Sequence, residues 1–377
     1  MFSFEVLGKL HKARRTRLTT PHGAIEGPFF QFVATQAVIR GAVFSEDLEA
    51  MNVQVVLSNT YHLHLRPGED VVAESGGLHG FMKWNGPITT DSGGYQVFSL
   101  GKNVKVTEDG VAFRAPLDGK LYEISPEKAM DIQAKLGADI IMPLDVCTPF
   151  TATEDEVRSA VERTTRWAKR CIAVVGPNQA LYGIVQGGVY PHLREQSARE
   201  LGELDFFGYS IGGELQVRGD KRIEEMTRVT ADFLPEDKPR YLMGYGKPDD
   251  ILGAVRAGVD QFDCVLPIRN ARHGQLFYDL NIEELRACLH DPERPIVAEK
   301  LYKTVDILKS TFARDYSLFS EGHPVIKKEY TKSYVHHLMR AEIPAGSRLC
   351  VLHNVWFYVQ LMSAIREVVA EGMQKVR

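Results

Sequence analysis

Short runs rich in β-branched and aromatic residues alternate with helical patterns through most of this chain, and that alternation restricts its fold more than any other feature. The runs are Val53–Ser58, Ile88–Thr90, Asp139–Leu144, Leu181–Val185, Tyr209–Ile211, Tyr241–Met243 and Gln261–Val265. Between them the spacing of apolar residues predicts helices over Pro126–Leu136, Glu154–Val174, His192–Leu204, Arg222–Phe233 and Asp249–Ala257. Ser125 is placed to cap the first of these, and Thr153 with Glu156 makes a capping box for the second. Repetition on this scale implies a parallel sheet covered by helices, and it favours a closed (β/α)₈ TIM barrel over a doubly wound sheet. No glycine-rich dinucleotide fingerprint follows the first strand, which argues against a nucleotide cofactor.

The polar residues fall where such a barrel builds its active site. Asp91, Asp145, Gln186, the Gly212-Gly213 pair, Gly244 and Asp263 each sit at or just after the C-terminal end of an expected strand. One aspartate or glycine at a strand end is an ordinary turn residue. Six in register point instead to a functional rim.

Asp91 opens the segment Asp91-Ser92-Gly93-Gly94-Tyr95, and Asp263 leads into a stretch carrying Arg269 and Arg272. Two carboxylates on one rim can divide the work of substitution at a sugar carbon, one attacking and the other managing protons. A glycoside hydrolase or a metal-assisted hydrolase would fit those residue types equally well. The arginines tilt the balance towards a phosphate-bearing substrate, since guanidinium groups grip phosphates and base edges bidentately. Asp145, Gln186 and the glycine pair suit a planar purine-like base, and Tyr95 either stacks on it or packs as a core aromatic. Cys147 is better read as pocket lining than as a nucleophile.

Totals set the context. Of 377 residues, 44% are apolar and 25% charged, as in globular proteins, and the formal charge of −4 requires any basic surface to be local. The five cysteines are scattered and odd in number, so a disulfide framework is not expected and a cytoplasmic location is. No apolar run reaches membrane-spanning length. The texture changes near Asp279, giving an expected division into a barrel at 1–278 and a C-terminal helical elaboration at 279–377. In that elaboration Asn281–Lys303 reads as helical with a break at Asp291–Pro295, and two helical patterns close the chain.

Several segments in order resemble tRNA-guanine transglycosylases of the bacterial type over nearly the whole length. They include Leu57-Ser58-Asn59-Thr60-Tyr61-His62-Leu63, Thr90-Asp91-Ser92-Gly93-Gly94-Tyr95 through Leu100, and Asp145-Val146-Cys147-Thr148-Pro149. Gly183-Ile184-Val185-Gln186-Gly187-Gly188, Tyr241-Leu242-Met243-Gly244 and Phe262-Asp263-Cys264 through Arg272 complete the set. The resemblance implies a (β/α)₈ barrel that exchanges guanine at the first anticodon position for a 7-deazaguanine base through a covalent tRNA intermediate. It implies Asp263 as nucleophile and Asp91 as general acid/base. Asp145, Gln186, Gly212 and Gly213 would bind the base, with Tyr95 stacking and Met243 lining the pocket. Arg269, Asn270 and Arg272 would contact a tRNA whose anticodon starts G-U, and Tyr330, Tyr334 and His337 would form a homodimer patch. A non-catalytic tRNA-binding partner subunit is the alternative.

Two departures qualify what carries over. The family's three zinc-binding cysteine positions hold Gly322, Pro324 and Lys327, with His353 kept; no zinc or other cofactor is therefore expected, although His323, Cys350 and His353 could form a replacement set. The region between Phe277 and Thr304 looks inserted, and its packing is expected to supply the rigidity that the zinc module would otherwise give. Glu214-Leu215-Gln216-Val217-Arg218 also departs from the family pattern, with Arg218 replacing an acid that suits an aminomethyl cation. That leaves queuine and its aminomethyl precursor open as the incoming base, with queuine preferred.

Overall fold

The computed structural model describes residues 1–99, 104–215 and 223–374. Its centre is a closed parallel barrel of eight strands. In chain order these are β1 (Phe29–Val33), β2 (Val56–Ser58), β3 (Ile88–Thr90), β4 (Ile140–Ile141), β5 (Ala180–Val185), β6 (Gly208–Ile211), β7 (Arg240–Leu242) and β8 (Gln261–Cys264). β8 pairs with β1, with Asp263 opposite Gln31, and this pairing closes the ring. The (β/α)₈ expectation is met.

β1 is absent from the sequence-based assignment. All five of its residues, Phe-Phe-Gln-Phe-Val, are buried, because parallel barrel strands are covered on both faces and lose polar alternation. Phe29 and Val33 join the cluster inside the barrel, while Phe30 and Phe32 join the one outside it. The period of two therefore survives only as a division between two apolar environments.

The expected helices are present with small boundary shifts. Pro126–Leu136 starts at Ser125, whose Oγ accepts from Lys128 N at 3.1 Å, and stops at Gly137 in the left-handed region. Glu154–Val174 carries its capping box, with Thr153 N donating to Glu156 Oε2 at 2.8 Å. The expected Arg222 start of a later helix lies outside the described residues, which resume with helix Ile223–Ala231.

An antiparallel sheet (Ser3–Leu10, Ala13–Thr20, Gly23–Gly27) precedes the barrel. Its Leu18 and Ile25 belong to the same apolar cluster as Phe29, Tyr182 and Tyr241, so this sheet plugs the N-terminal end. A second antiparallel sheet, Val104–Val106, Val111–Arg114 and Leu121–Ile124, is an excursion between β3 and β4. After β8 comes helix Leu266–Arg272, then strand Gln275–Tyr278 paired with Lys303–Asp306. Between those strands lie helices Ile282–His290 and Ala298–Leu301, interrupted where the Asp291–Pro295 break was read. Lys303, expected at the end of a helix, instead begins a strand. Helices Lys332–Arg340 and Pro344–Gln374 close the chain, the last packing on Leu266–Arg272 and on the N-terminal sheet.

Candidate active site

With the N-terminal end plugged, the C-terminal rim opens into a cavity of about 500 Å³. Asp91, Tyr95, Asp145, Gln186, Gly212, Gly213, Met243, Asp263 and Arg269 all line it. Asn270 and Arg272 do not; they lie further along helix Leu266–Arg272, with Arg272 exposed.

The two proposed reacting acids are held differently. Asp263 is the penultimate residue of β8, and its Oδ1 accepts from Tyr241 Oη at 2.7 Å and from Gly244 N at 2.8 Å. Oδ2 has no protein donor among the described residues. Burial raises the Asp263 pKa, and the Tyr241 and Gly244 donors oppose that rise. Asp91 follows β3; its Oδ1 accepts from Thr60 N at 2.9 Å and Gly93 N at 3.2 Å, and its Oδ2 accepts from Asn59 Nδ2. Burial, reinforced by the Asp263 charge, lifts Asp91 to about 7 despite those donors. An acid poised there can both give and take a proton near neutrality.

The same cavity holds a hydrogen-bonded chain of Ser92, Asp145 and Gln186. Asp145 Oδ1 accepts from Ser92 Oγ at 3.0 Å, and its Oδ2 accepts from Gln186 Nε2 at 2.7 Å. Burial raises Asp145 to about 6. The Gln186 Oε1 has no partner among the described residues, although it is buried. One N–H of its amide also remains after the bond to Asp145. Unsatisfied buried amide groups beside a carboxylate are what an incoming amino-imino edge would complete. Glycine suits position 213, since its φ is +78° and a Cβ would lie 2.6 Å from Gln186 Oε1 and push that amide aside. Tyr95 is 60% exposed at the mouth, which removes the core-aromatic alternative.

Several residues in this site carry roles that sequence reasoning did not assign. Asn59 and Tyr241 stand inside the family-like segments, but their bonds to Asp91 and Asp263 appear only in three dimensions. Arg194 gave no signal at all, since a lone arginine in a helical pattern reads as a solvated charge. It is fully buried, donating through Nε to Gly188 O and through Nη1 to Gly212 O, both at 2.8 Å. Its Nη2 is unpartnered among the described residues, and burial lowers its pKa to about 10. Arg194 thus fixes the loops bearing Gly188 and Gly212. The Cys147 thiol is pushed up to about 12 by burial and by the Asp145 and Glu214 charges, so it stays protonated. Leu100, Gln216, Val217 and Arg218 lie outside the described residues.

The residues at the family's zinc position do not fit that metal. His353 bonds Phe277 O through Nε2 at 2.8 Å and Ser320 Oγ through Nδ1 at 3.1 Å. His323 donates from Nε2 to Leu352 O at 3.1 Å, and its Nδ1 accepts from Val325 N and Ile326 N, each at 3.0 Å. Both imidazoles are engaged through both ring nitrogens, and the family's three cysteine positions hold Gly322, Pro324 and Lys327, none of which offers a thiolate.

The profile of the family described as queuine tRNA-ribosyltransferase matches residues 9–375. A queuine tRNA-ribosyltransferase of Acetivibrio thermocellus is 46% identical over 95% of this chain and 91% of its own length. Its namesakes from Marinobacter nauticus and Francisella tularensis subsp. mediasiatica are 45% and 43% identical, over 98% and 99% of this chain and 94% and 96% of theirs. The chain belongs to the queuine tRNA-ribosyltransferase family.

Proposed function

We propose that this chain is a tRNA-guanine transglycosylase that exchanges guanine at the first anticodon position for a 7-deazaguanine base. The observation that carries the reading is the convergence of Asp263 and Asp91 on one cavity whose other wall is the Asp145–Gln186–Gly213 base reader.

In the first half-reaction an oxygen of Asp263 bonds to the ribose C1′ while the bond from C1′ to the guanine nitrogen breaks. The leaving base takes a proton from Asp91, which its raised pKa keeps partly protonated near neutrality. In the second, the incoming base gives its ring proton to Asp91 and attacks C1′, and Asp263 leaves as a carboxylate. Tyr241 and Gly244 stabilise that departing charge. Tyr95 stacks on the base, Met243 lines its pocket, and Arg269, Asn270 and Arg272 hold the flanking uridines of a tRNA with a G-U anticodon start.

Glu214 lines the cavity near Cys147, and its Oε2 accepts from Phe150 N at 3.0 Å. A carboxylate there suits a cationic 7-substituent, a property that queuine and its aminomethyl precursor share; queuine remains the preferred base. The enzyme works in the cytoplasm, without the family zinc. It pairs as a homodimer through the patch where Tyr330 and Tyr334 stack at 5.4 Å.

Incorporation of labelled guanine into unmodified tRNA with a G-U anticodon start tests the reading, with Asp263→Ala as control. Label entering only with the intact acid is expected. No label from the intact chain, with tRNA still bound, would instead favour a non-catalytic partner subunit.

A further inference from the structure

We propose that His22, His79 and Asp139 form a binding site for a divalent transition-metal ion of the zinc class, at the end of the barrel opposite the catalytic rim. Among the described residues they are the one group of three such side chains whose ligand atoms all lie within 4.8 Å of one another. The three come from separate elements. His22 is in the turn between strands Ala13–Thr20 and Gly23–Gly27, His79 in helix Gly77–Met82, and Asp139 just before β4.

Both rings address the same carboxylate. His22 Nδ1 is 2.7 Å from Asp139 Oδ1, and His79 Nε2 is 3.4 Å from Oδ2. The rings stack face to face with centroids 3.5 Å apart and planes 18° apart. Asp139 is buried and anchored by Ile88 N, which donates to Oδ2 at 2.9 Å. His79 Nε2 is also 3.1 Å from Gly86 O, which holds that ring in place without metal. His22, by contrast, is exposed, so the cluster has one open side for ion and water to enter.

Two imidazoles and one carboxylate are a three-ligand set typical of zinc with a fourth position open. Imidazole nitrogen favours zinc, cobalt or nickel over the oxygen-seeking magnesium and calcium. A tetrahedral site with bonds of about 2.0 Å has ligand atoms roughly 3.3 Å apart. Assembly therefore requires a rearrangement in which the 2.7 Å His22–Asp139 pair widens, the farthest pair closes by about 1.5 Å at most, and the stacked rings turn to aim both nitrogens at the ion. The exposed His22 side chain can supply that movement. The ion would take the lone pairs that now share protons with Asp139 and Gly86, and each ring would carry its hydrogen on the other nitrogen. Bound there, it would tie the N-terminal sheet to the barrel floor.

The test strips the full chain with chelator and titrates it with Co²⁺, reading the visible absorption of low-coordinate cobalt and the stoichiometry after dialysis. One ion per chain is expected, together with a rise in Tm on binding. His22→Ala and His79→Gln should each weaken binding at least roughly tenfold, while circular dichroism reports that the fold persists. His353→Gln should leave binding unchanged. Wild-type binding no tighter than that of a His22→Ala/His79→Gln double variant would overturn the proposal. So would loss of the ion in His353→Gln with retention in both others, because that would place the metal at the family position.

Discussion

Replacing Gly213 by alanine should separate base recognition from folding. At φ +78° a side chain costs about 1–2 kcal/mol of backbone strain. The new Cβ would stand 2.6 Å from Gln186 Oε1 and 3.4 Å from Arg194 Nη2. The first contact is with the end of a flexible side chain, so the fold yields by moving the Gln186 amide rather than by unfolding. That amide is the group bonded to Asp145 at 2.7 Å. Misplacing it disrupts a hydrogen bond to a charged partner, an effect of about 1.5–3 kcal/mol. If the loss is felt fully in the transition state, kcat/KM for guanine falls about 10- to 150-fold. Labelled-guanine exchange measures the kinetic effect and thermal melting the structural one. Because the damage runs through Gln186, Gly213→Ala should cost much less in a Gln186→Ala background. The reasoning is refuted if kcat/KM stays within about twofold of wild type while Tm falls, or if the two substitutions prove additive.

Asp91→Asn should abolish exchange and change the pH dependence of stability. The folded-state pKa of Asp91 is raised, so the wild type progressively loses stability as pH climbs from its unfolded value towards about 7. The Tm of the variant minus that of wild type should therefore grow between about pH 4 and 8, and a flat difference would contradict the assignment. Tyr241→Phe deletes a donor that lowers the Asp263 pKa. The acid limb of the exchange pH profile should move to higher pH, and an unmoved limb would remove Asp263 as the group responsible. Cys147→Ala should retain exchange within a few-fold, because a thiol held near 12 is no nucleophile; a collapse of activity would reopen covalent thiol chemistry. Glu214→Leu should leave guanine exchange intact while raising KM for bases with a cationic 7-substituent, and equal effects on both would show that Glu214 does not contact the substituent.

The rim was legible in the sequence because the barrel strands end in polar and glycine residues against an apolar background. Asp91, Gln186, Gly212 and Asp263 could each be placed at a strand end without knowing how the strands pair. β1 was not, since Phe29–Val33 has no polar face and follows a sheet rather than a helix. The excursion at Val104–Ile124 was missed for a related reason, as its strands are only three or four residues long. Arg194 and the His22–His79–Asp139 cluster define another limit. Their meaning comes from partners distant in sequence, 117 positions apart for His22 and Asp139, and no local period encodes that. Lys303 illustrates propensity overridden by context, because a helix-compatible residue is drawn into pairing with Tyr278.

In the exchange we propose, coupling between the two acids gives a physical reason for the rim to hold both. Before attack, the ionised Asp263 raises the Asp91 pKa and so keeps a proton available for the leaving guanine. Bonding to C1′ converts Asp263 into a neutral ester, and its contribution to that rise disappears. Asp91, having given its proton away, can then persist as a carboxylate, the form needed to deprotonate the incoming base. Release of the product restores the Asp263 charge and lifts Asp91 again. The charge consumed in one half-reaction thus sets the protonation state required in the next, and no third titrating group is needed. The same logic fixes why Tyr241 and Gly244 both bond to Oδ1 of Asp263. They moderate its pKa from one side and leave Oδ2 without a protein donor among the described residues, free to meet the sugar.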